Sequence, residues 1–318
     1  MAERQWWWPV ALDNEVQAEP VPVRLLNEAV VLWRNPAGQV VALTDRCPHR
    51  GARLSLGRVV EGALECPYHG WRFDVDGQCV GIPAVPDFQP SARHAACQHA
   101  VRSAHGLLWV ALDGAGQGLP ALDGLPERRL VYGPFDVATS APRAVENFLD
   151  TSHFAFVHRG WLGDAKHPEV PHYDVGHTAD GRPLIERYLA WQPRATAAAA
   201  EGDWVAYRYE VLSPYAALLT KQGQAGGPQD SYTIWACPTS EDSCRLWFAQ
   251  YTTDLASSDA TLRDFQVEIF SQDQPVLESQ IPKRLPLDGS EAMSAADRLS
   301  AAYRRYLQAT GITFGVIP

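Results

Sequence analysis

Four residues in the first third of the chain can bind metal. Cys47 and His49 lie in Cys47-Pro48-His49, and Cys66 and His69 lie in Cys66-Pro67-Tyr68-His69, with sixteen residues between the two halves. Each pair sits on a loop shaped by proline and glycine, Pro48 and Gly51 in one, Pro67 and Gly70 in the other. Two thiolates and two imidazoles suit a tetrahedral zinc ion. They equally suit an iron–sulfur pair with two cysteines on one iron and two histidines on the other. The distribution of ligands separates these readings. A zinc finger with this set keeps cysteine with cysteine and histidine with histidine, whereas here each loop supplies one of each. Mixed loops let two turns clamp a two-iron cluster from opposite sides.

A second group of polar residues interrupts an apolar stretch at 146–158: Asn147, Asp150, His153 and His158. On a helix the first three share one face. His158 lies five residues after His153, about 140° round an ideal helix. One metal can hold both rings only if the helix bends or ends between them. A buried histidine taken alone is ordinarily a core residue, but a redox cluster in the same chain favours a metal. A carboxylate is then needed as third ligand, and Asp254, Asp259, Asp264, Glu268, Asp273 and Glu278 all qualify. Asp273 has a competing reading as a helix cap ahead of Pro275.

Together these motifs resemble the Rieske non-haem iron oxygenases. CPHRGARLSLG…CPYHGWRFDVDGQC is similar to their Rieske [2Fe–2S] segment across most of residues 40–90. Respiratory Rieske proteins carry an extra cysteine in each loop, and here Ala52 and Tyr68 stand in those places. Asp150-x2-His153-x4-His158 resembles the mononuclear iron motif of the same oxygenases. Residues 271–280, SQDQPVLESQ, resemble the late Asp-x4-Glu-x-Gln signature of the demethylase-type members. The short spacing from Asn147 to Asp150 is closer to vanillate and dicamba demethylases than to naphthalene-type dioxygenases.

The resemblance implies an α+β subunit. An all-β Rieske domain over residues 1–125 precedes a helix-grip (START-like) catalytic domain over 126–318, with a curved antiparallel sheet. It implies that Cys47, His49, Cys66 and His69 hold the cluster, tuned by Trp71, and that His153, His158 and Asp273 hold mononuclear Fe(II). Asp150, with Asn147 one turn before it, would bond His153 and reach a cluster histidine, matched by His69, in a neighbouring subunit of a homotrimer. Electrons would come from NAD(P)H through a reductase or ferredoxin, and O2 would be the cosubstrate. The expected reaction is hydroxylation or oxidative demethylation of a small aromatic or heterocyclic compound. The rivals are cis-dihydroxylation of an arene at the same iron and a non-enzymatic Rieske electron carrier with a ligand-binding domain.

Composition agrees with small-molecule chemistry. The 318 residues are 46% hydrophobic and 20% charged, ample for a folded core. Acidic residues outnumber basic ones 37 to 27, for a formal charge of −10, which argues against nucleic-acid binding. No apolar run reaches the roughly 18 residues a membrane span needs, and the N-terminus has no secretion-signal pattern. The expectation is a cytoplasmic protein whose six cysteines are ligands or reduced spectators, Cys237 and Cys244 included.

The elements needed to position these residues are legible in outline. Strands are expected at Val30–Arg34 and Gln39–Leu43 around Asn35–Gly38, and at Trp71–Asp74 and Gln78–Val80 around Asp76-Gly77. Leu107–Leu112 and Leu130–Phe135 flank a Gly/Pro-rich boundary at Gly114–Pro126. A helix is expected over Arg143–Phe156, then strands at Leu184–Gln192, Val205–Ser213, Ser231–Cys237 and Arg245–Thr253, and helices at Asp259–Phe270 and Ala292–Thr310. Arg194–Ala200 reads as a loop or single turn. Trp6-Trp7-Trp8 reads as packing at the domain join. Arg46, Arg50, Arg53 and Arg72 could meet an acidic electron donor.

Overall fold

The computed structural model describes residues 1–194, 196–197, 199, 201–224 and 228–318, so the alanine-rich segment 194–200 falls partly outside the described residues. The chain divides into two compact units, Ala2–Leu119 and Pro120–Pro318.

The first unit is built from strands: β1 (Trp8–Leu12), β2 (Val21–Leu25), β3 (Glu28–Arg34), β4 (Val40–Thr44), β5 (Arg58–Val60), β6 (Ala63–Glu65), β7 (Arg72–Phe73), β8 (Cys79–Gly81), β9 (Gln98–Ala104) and β10 (Leu107–Ala111). Six of them form an antiparallel sheet in the order β1-β10-β9-β4-β3-β2, and β5 to β8 form a separate four-stranded meander. The expected turn at Asp76-Gly77 depends on glycine. Gly77 has φ +76°, and a Cβ there would lie 2.3 Å from the Ala96 carbonyl oxygen. Val31, Trp33 and Leu43 from the larger sheet pack with Leu64 and Phe73 from the meander, and Cys47 and Cys66 sit in the same buried cluster. Each large apolar side chain so buried contributes about 1.5–3 kcal/mol, which fixes the two loops that carry the cysteines. The tryptophan run packs at least partly inside this unit. Trp7 and Trp8 are buried within this unit, Trp8 paired with Val110 and Trp7 against Gly116, where a Cβ would come within 2.2 Å of the indole.

The second unit contains β11 (Arg128–Val137), α1 (Ala141–Leu149), α2 (Phe154–Val157), β12 (Gly176–His177), β13 (Pro183–Gln192), β14 (Asp203–Ser213), β15 (Ala216–Gly223), β16 (Asp230–Ser240), β17 (Ser243–Thr252), α3 (Asp259–Ser279) and α4 (Arg298–Ala309). Seven of its strands form one antiparallel sheet, β11-β17-β16-β15-β14-β13-β12, and two short segments, Leu285–Pro286 and Val316–Ile317, pair in parallel apart from it. Helix α1 lies against β15 and β16, α3 against β11, and α4 against β13. The expected order, an all-β unit followed by an antiparallel sheet with helices, is the order observed.

Strand β15 was not expected, and all three expected helices differ in extent. The helix over 143–156 is two helices, because Asp150 adopts an extended backbone (φ −72°, ψ 129°) and its side chain binds the Ser152 N–H and hydroxyl. Helix α3 runs past Pro275 to Ser279. Ser258 caps its start through the Thr261 N–H, and Pro275 lies on the exposed side, so the proline ring meets solvent rather than the sheet. Asp273 is therefore inside a helix and not a cap. Residues 292–294 are not helical. Ser294 and Asp297 bond one another at a short 3-10 turn, and α4 begins only at Arg298.

Candidate metal centres and cavity

The two cysteine loops are built alike. In each, the glycine N–H closes a turn onto the cysteine carbonyl, Gly51 to Cys47 at 2.9 Å and Gly70 to Cys66 at 3.0 Å. In each, the cysteine N–H bonds a carbonyl five residues on, Cys47 to Ala52 and Cys66 to Trp71, both at 2.8 Å. Both glycines have positive φ, +73° and +70°, a conformation that costs other residues energy. The two turns bring the His49 and His69 rings together, with centroids 4.6 Å apart, and Trp71 stacks on His49 at 4.5 Å and 5°.

Burial pushes the Cys47 thiol up to about 11, against the pull of the His49 backbone N–H. His49 is held below the usual histidine range by burial and by the charges of His69 and Arg50, and its Nδ1 has no hydrogen-bond partner. Two buried thiols beside an unsatisfied imidazole nitrogen form a costly arrangement for an apolar pocket and an ordinary one for metal ligands. Around the loops Arg46, Arg50 and Arg53 are exposed, while Arg72 is bound to Glu65 at 2.9 Å.

In the second unit, the break after α1 does what the spacing required. His153 and His158 flank the single turn of α2, one at each cap position. Their Nε2 atoms are 3.2 Å apart, and Asp273 Oδ1 lies 3.6 Å from the first and 3.3 Å from the second. Two ligand atoms each about 2.1 Å from a metal and at right angles are about 3 Å apart, so this spacing suits one ion. His158 is 2% exposed and Asp273 8%.

The proton assignment follows from the neighbours. Gln272 Nε2 donates to the Glu268 carboxylate at 2.9 Å, which turns Gln272 Oε1 toward His158 Nδ1 at 3.0 Å. Nδ1 is then the protonated nitrogen of His158, and Nε2 offers a lone pair. Asp273 Oδ1 has no hydrogen-bond partner. These acceptors and His153 Nε2 converge on one point, an arrangement that could hold a metal ion. Burial disfavours a charged His153, yet Asp150 and Asp273 outweigh it and hold this ring above the usual histidine range.

The other acids are committed elsewhere. Asp254 accepts from the Ala256 and Ser257 N–H groups, Asp259 pairs with Arg128, and Glu278 accepts from Gln274 and the Ala138 N–H. Glu268 holds Gln272, and Asp264 is exposed.

Asp150 is placed differently from expectation. Its Oδ1 is 3.9 Å from His153 Nδ1, beyond hydrogen-bond range, because Ser152 draws the carboxylate toward its own N–H and hydroxyl at 2.5 and 2.7 Å. Asp150 and Asn147 also border a polar cleft formed with Glu146, Glu291 and Arg304. Asn147 additionally borders the cavity beside His153, His158 and Asp273.

That cavity encloses about 750 Å³ of empty space, part of it open to solvent, between the inward face of the sheet and helices α1 and α3. His153, His158 and Asp273 form part of its wall, and Phe148, Ile234, Phe248 and Phe270 supply apolar surface. Elsewhere in this unit Phe156 is exposed, and Trp235 and Trp247 are buried in positions that do not line the cavity.

Three functional residues escaped the sequence reading. Gln272 orients His158. Ser152 sets Asp150. Gly163, whose N–H bonds the His158 carbonyl at 3.1 Å, lies so close to α2 that a Cβ would be 1.9 Å from the Phe154 carbonyl oxygen. Only the Glu268/Gln272 spacing of four, on one helix face, carried a readable signal.

Two family models match this chain. Residues 6–103 match the model of the Rieske [2Fe–2S] domain, and residues 137–311 match that of the vanillate O-demethylase oxygenase C-terminal domain. Methylxanthine N1-demethylase NdmA of Pseudomonas putida is 31% identical, over 96% of this chain and 88% of the relative. Methylxanthine N3-demethylase NdmB of the same species is 33% identical, over 95% and 88%. The structure of Pseudomonas putida NdmA with caffeine superposes with a TM-score of 0.83 at 30% identity, covering 96% of this chain and 90% of that one. Dicamba monooxygenase bound to dicamba gives 0.76 at 25% identity, covering 96% and 97%.

Proposed function

We propose, from the premise that this chain belongs to the Rieske non-haem iron oxygenases with a vanillate O-demethylase-type catalytic domain, that it demethylates a small aromatic or heterocyclic substrate as the oxygenase component of a monooxygenase system. The Rieske domain implies a [2Fe–2S] cluster and the oxygenase family a mononuclear iron. The observation that carries the reading is the meeting of two imidazole nitrogens and one buried, unpartnered carboxylate oxygen on the wall of a largely apolar cavity.

We assign the cluster to Cys47, His49, Cys66 and His69 within residues 1–125, and the iron to His153, His158 and Asp273 within 126–318. When bound, the cluster supplies single electrons and the iron activates oxygen. The protein's own contribution is positional. Gln272 fixes the His158 tautomer, and Ser152 holds Asp150 beside His153. Trp71 covers the His49 ring, and the phenylalanines exclude water from the substrate carbon. One oxygen atom enters a C–H bond of a methoxy or N-methyl group, and the second leaves as water with two electrons and two protons. The resulting hemiacetal or hemiaminal collapses to formaldehyde and the demethylated product.

NAD(P)H is the electron source through a reductase or ferredoxin, and the exposed Arg46, Arg50 and Arg53 suit an acidic donor. Asp150, on a cleft rather than sealed in the core, suits a bridge to His69 of a neighbouring copy, and head-to-tail contacts of that kind close most simply as a homotrimer. Among the described residues no helix is long and apolar enough to cross a membrane, and six cysteines outside any disulfide, two of them assigned to the cluster, fit the cytoplasm. The test is oxygen uptake and formaldehyde release with methoxylated, N-methylated and plain arenes. Stoichiometric formaldehyde supports demethylation, whereas a cis-diol without formaldehyde overturns it.

A further inference from the structure

Lys221 belongs to neither metal centre. It is 4% exposed, yet it borders the cavity that His153, His158 and Asp273 line, and no other described residue of that wall is a lysine or arginine. On β15 it follows Ala217 and Leu219 at alternate positions, so it projects from the inward face of the sheet.

The obvious partner would be Asp230, directly opposite across β15 and β16. That carboxylate is already satisfied. Its Oδ1 accepts from Gln250 Nε2 at 3.2 Å and its Oδ2 from the Tyr232 hydroxyl at 3.1 Å. Gln250 Nε2 also donates to the Tyr232 oxygen at 3.0 Å, and the Tyr132 hydroxyl donates to Gln250 Oε1. This network closes without the ammonium. Lys221 Nζ instead lies 5.1 Å from the centroid of the Tyr232 ring, a contact that attracts a cation without using its three N–H donors. Among the described residues it has no hydrogen bond and no ion pair. A desolvated ammonium with free donors on a cavity wall is a receptor for an anionic oxygen.

We propose that Lys221 anchors the carboxylate of an aromatic acid, making the substrate a methoxy- or N-methyl-bearing aromatic carboxylate; this rests on the oxygenase reading of the same cavity. The aromatic ring meets Phe148, Phe248 and Phe270, and the acid group meets the Lys221 ammonium. A pH signature accompanies the anchor. Burial lowers the Lys221 ammonium to about 8, with Asp230 opposing the fall. The other titratable groups that face it are Tyr232 on β16 and Tyr207 on β14, both pushed up by burial and so neutral, while α3 presents Gln266 and Asp273 to the cavity. The anchor is therefore charged below about 8 and lost above it.

The test is calorimetric titration of 4-methoxybenzoate and of 4-methoxybenzamide into the iron-loaded, cluster-containing protein, as wild type, Lys221→Met and Lys221→Arg. Melting temperature and cluster absorbance report folding. The Met variant should lose about 10- to 100-fold in affinity for the acid and less than about 3-fold for the amide. The Arg variant should recover most of the acid binding. Wild-type affinity for the acid should fall as pH rises past 8, and this fall should vanish in Lys221→Met. The proposal is overturned if the Met variant binds the acid as wild type does, if acid and amide weaken alike, or if wild type binds neither. Formaldehyde release separates this from the wider reading. Equal release from a neutral N-methyl heterocycle by wild type and Lys221→Met, with no acid preference, sinks the anchor and leaves the oxygenase. No formaldehyde from any substrate counts against the oxygenase, while the calorimetry still decides Lys221.

Discussion

Replacing Gln272 by Leu tests whether His158 is a positioned metal ligand. The variant keeps the side chain's approximate volume and removes the acceptor that, among the described residues, faces His158 Nδ1 from 3.0 Å. His158 is 2% exposed, so water does not readily replace the lost partner. An unpaired buried donor costs about 1–3 kcal/mol. In the metal-free protein the ring can turn to relieve this, but a ring bound through Nε2 cannot. The penalty therefore falls on metal affinity, and at about 1.4 kcal/mol per decade it amounts to roughly 5- to 150-fold weaker Fe(II) binding. The assay is Fe(II) titration against a chromophoric chelator, with cluster absorbance as an internal measure of folding. Gln272→Glu keeps an acceptor and should bind at least as tightly as wild type. The reasoning fails if the Leu variant binds iron within threefold of wild type, or if the Glu variant is as weak as the Leu variant.

Gly163→Ala should displace α2, since the new Cβ would start 1.9 Å from the Phe154 carbonyl oxygen; iron content should drop at least tenfold while cluster absorbance stays normal, and retention of full iron content would refute the fit. Asp273→Ala should abolish mononuclear iron and product without altering the cluster's spectrum, because the two centres use disjoint residues; if iron and activity survive, one of the exposed acids of α3, Glu268 or Asp264, must be supplying the third ligand. Asp150→Asn should leave both metals bound and donor reduction of the cluster normal, yet slow single-turnover product formation by at least a hundredfold. A near-normal rate would make Asp150 structural.

Legibility in the sequence followed the range of the interaction. The geometry of the two cysteine loops was readable because each is closed by bonds within five residues, Gly51 to Cys47 and Gly70 to Cys66, so spacing encodes the geometry. His153 and His158 were readable as a pair, but the break between α1 and α2 was not. It depends on Asp150 bonding Ser152 rather than continuing the helix. Six acids competed for the third position, and physical elimination needed the fold, which ties Asp254, Asp259, Glu268 and Glu278 to other partners. Strand β15 was missed altogether, and with it Lys221. In Leu218-Leu219-Thr220-Lys221-Gln222 a lysine reads as an exposed strand end. Its direction is set only by the register that pairs Leu219 with Tyr209 on β14 and with Tyr232 on β16. A slip of one residue would turn Thr220 and Gln222 into the cavity and send the ammonium to solvent. Substrate preference in this sheet is thus decided by parity, which strand pairing fixes and which no local run of residues can encode.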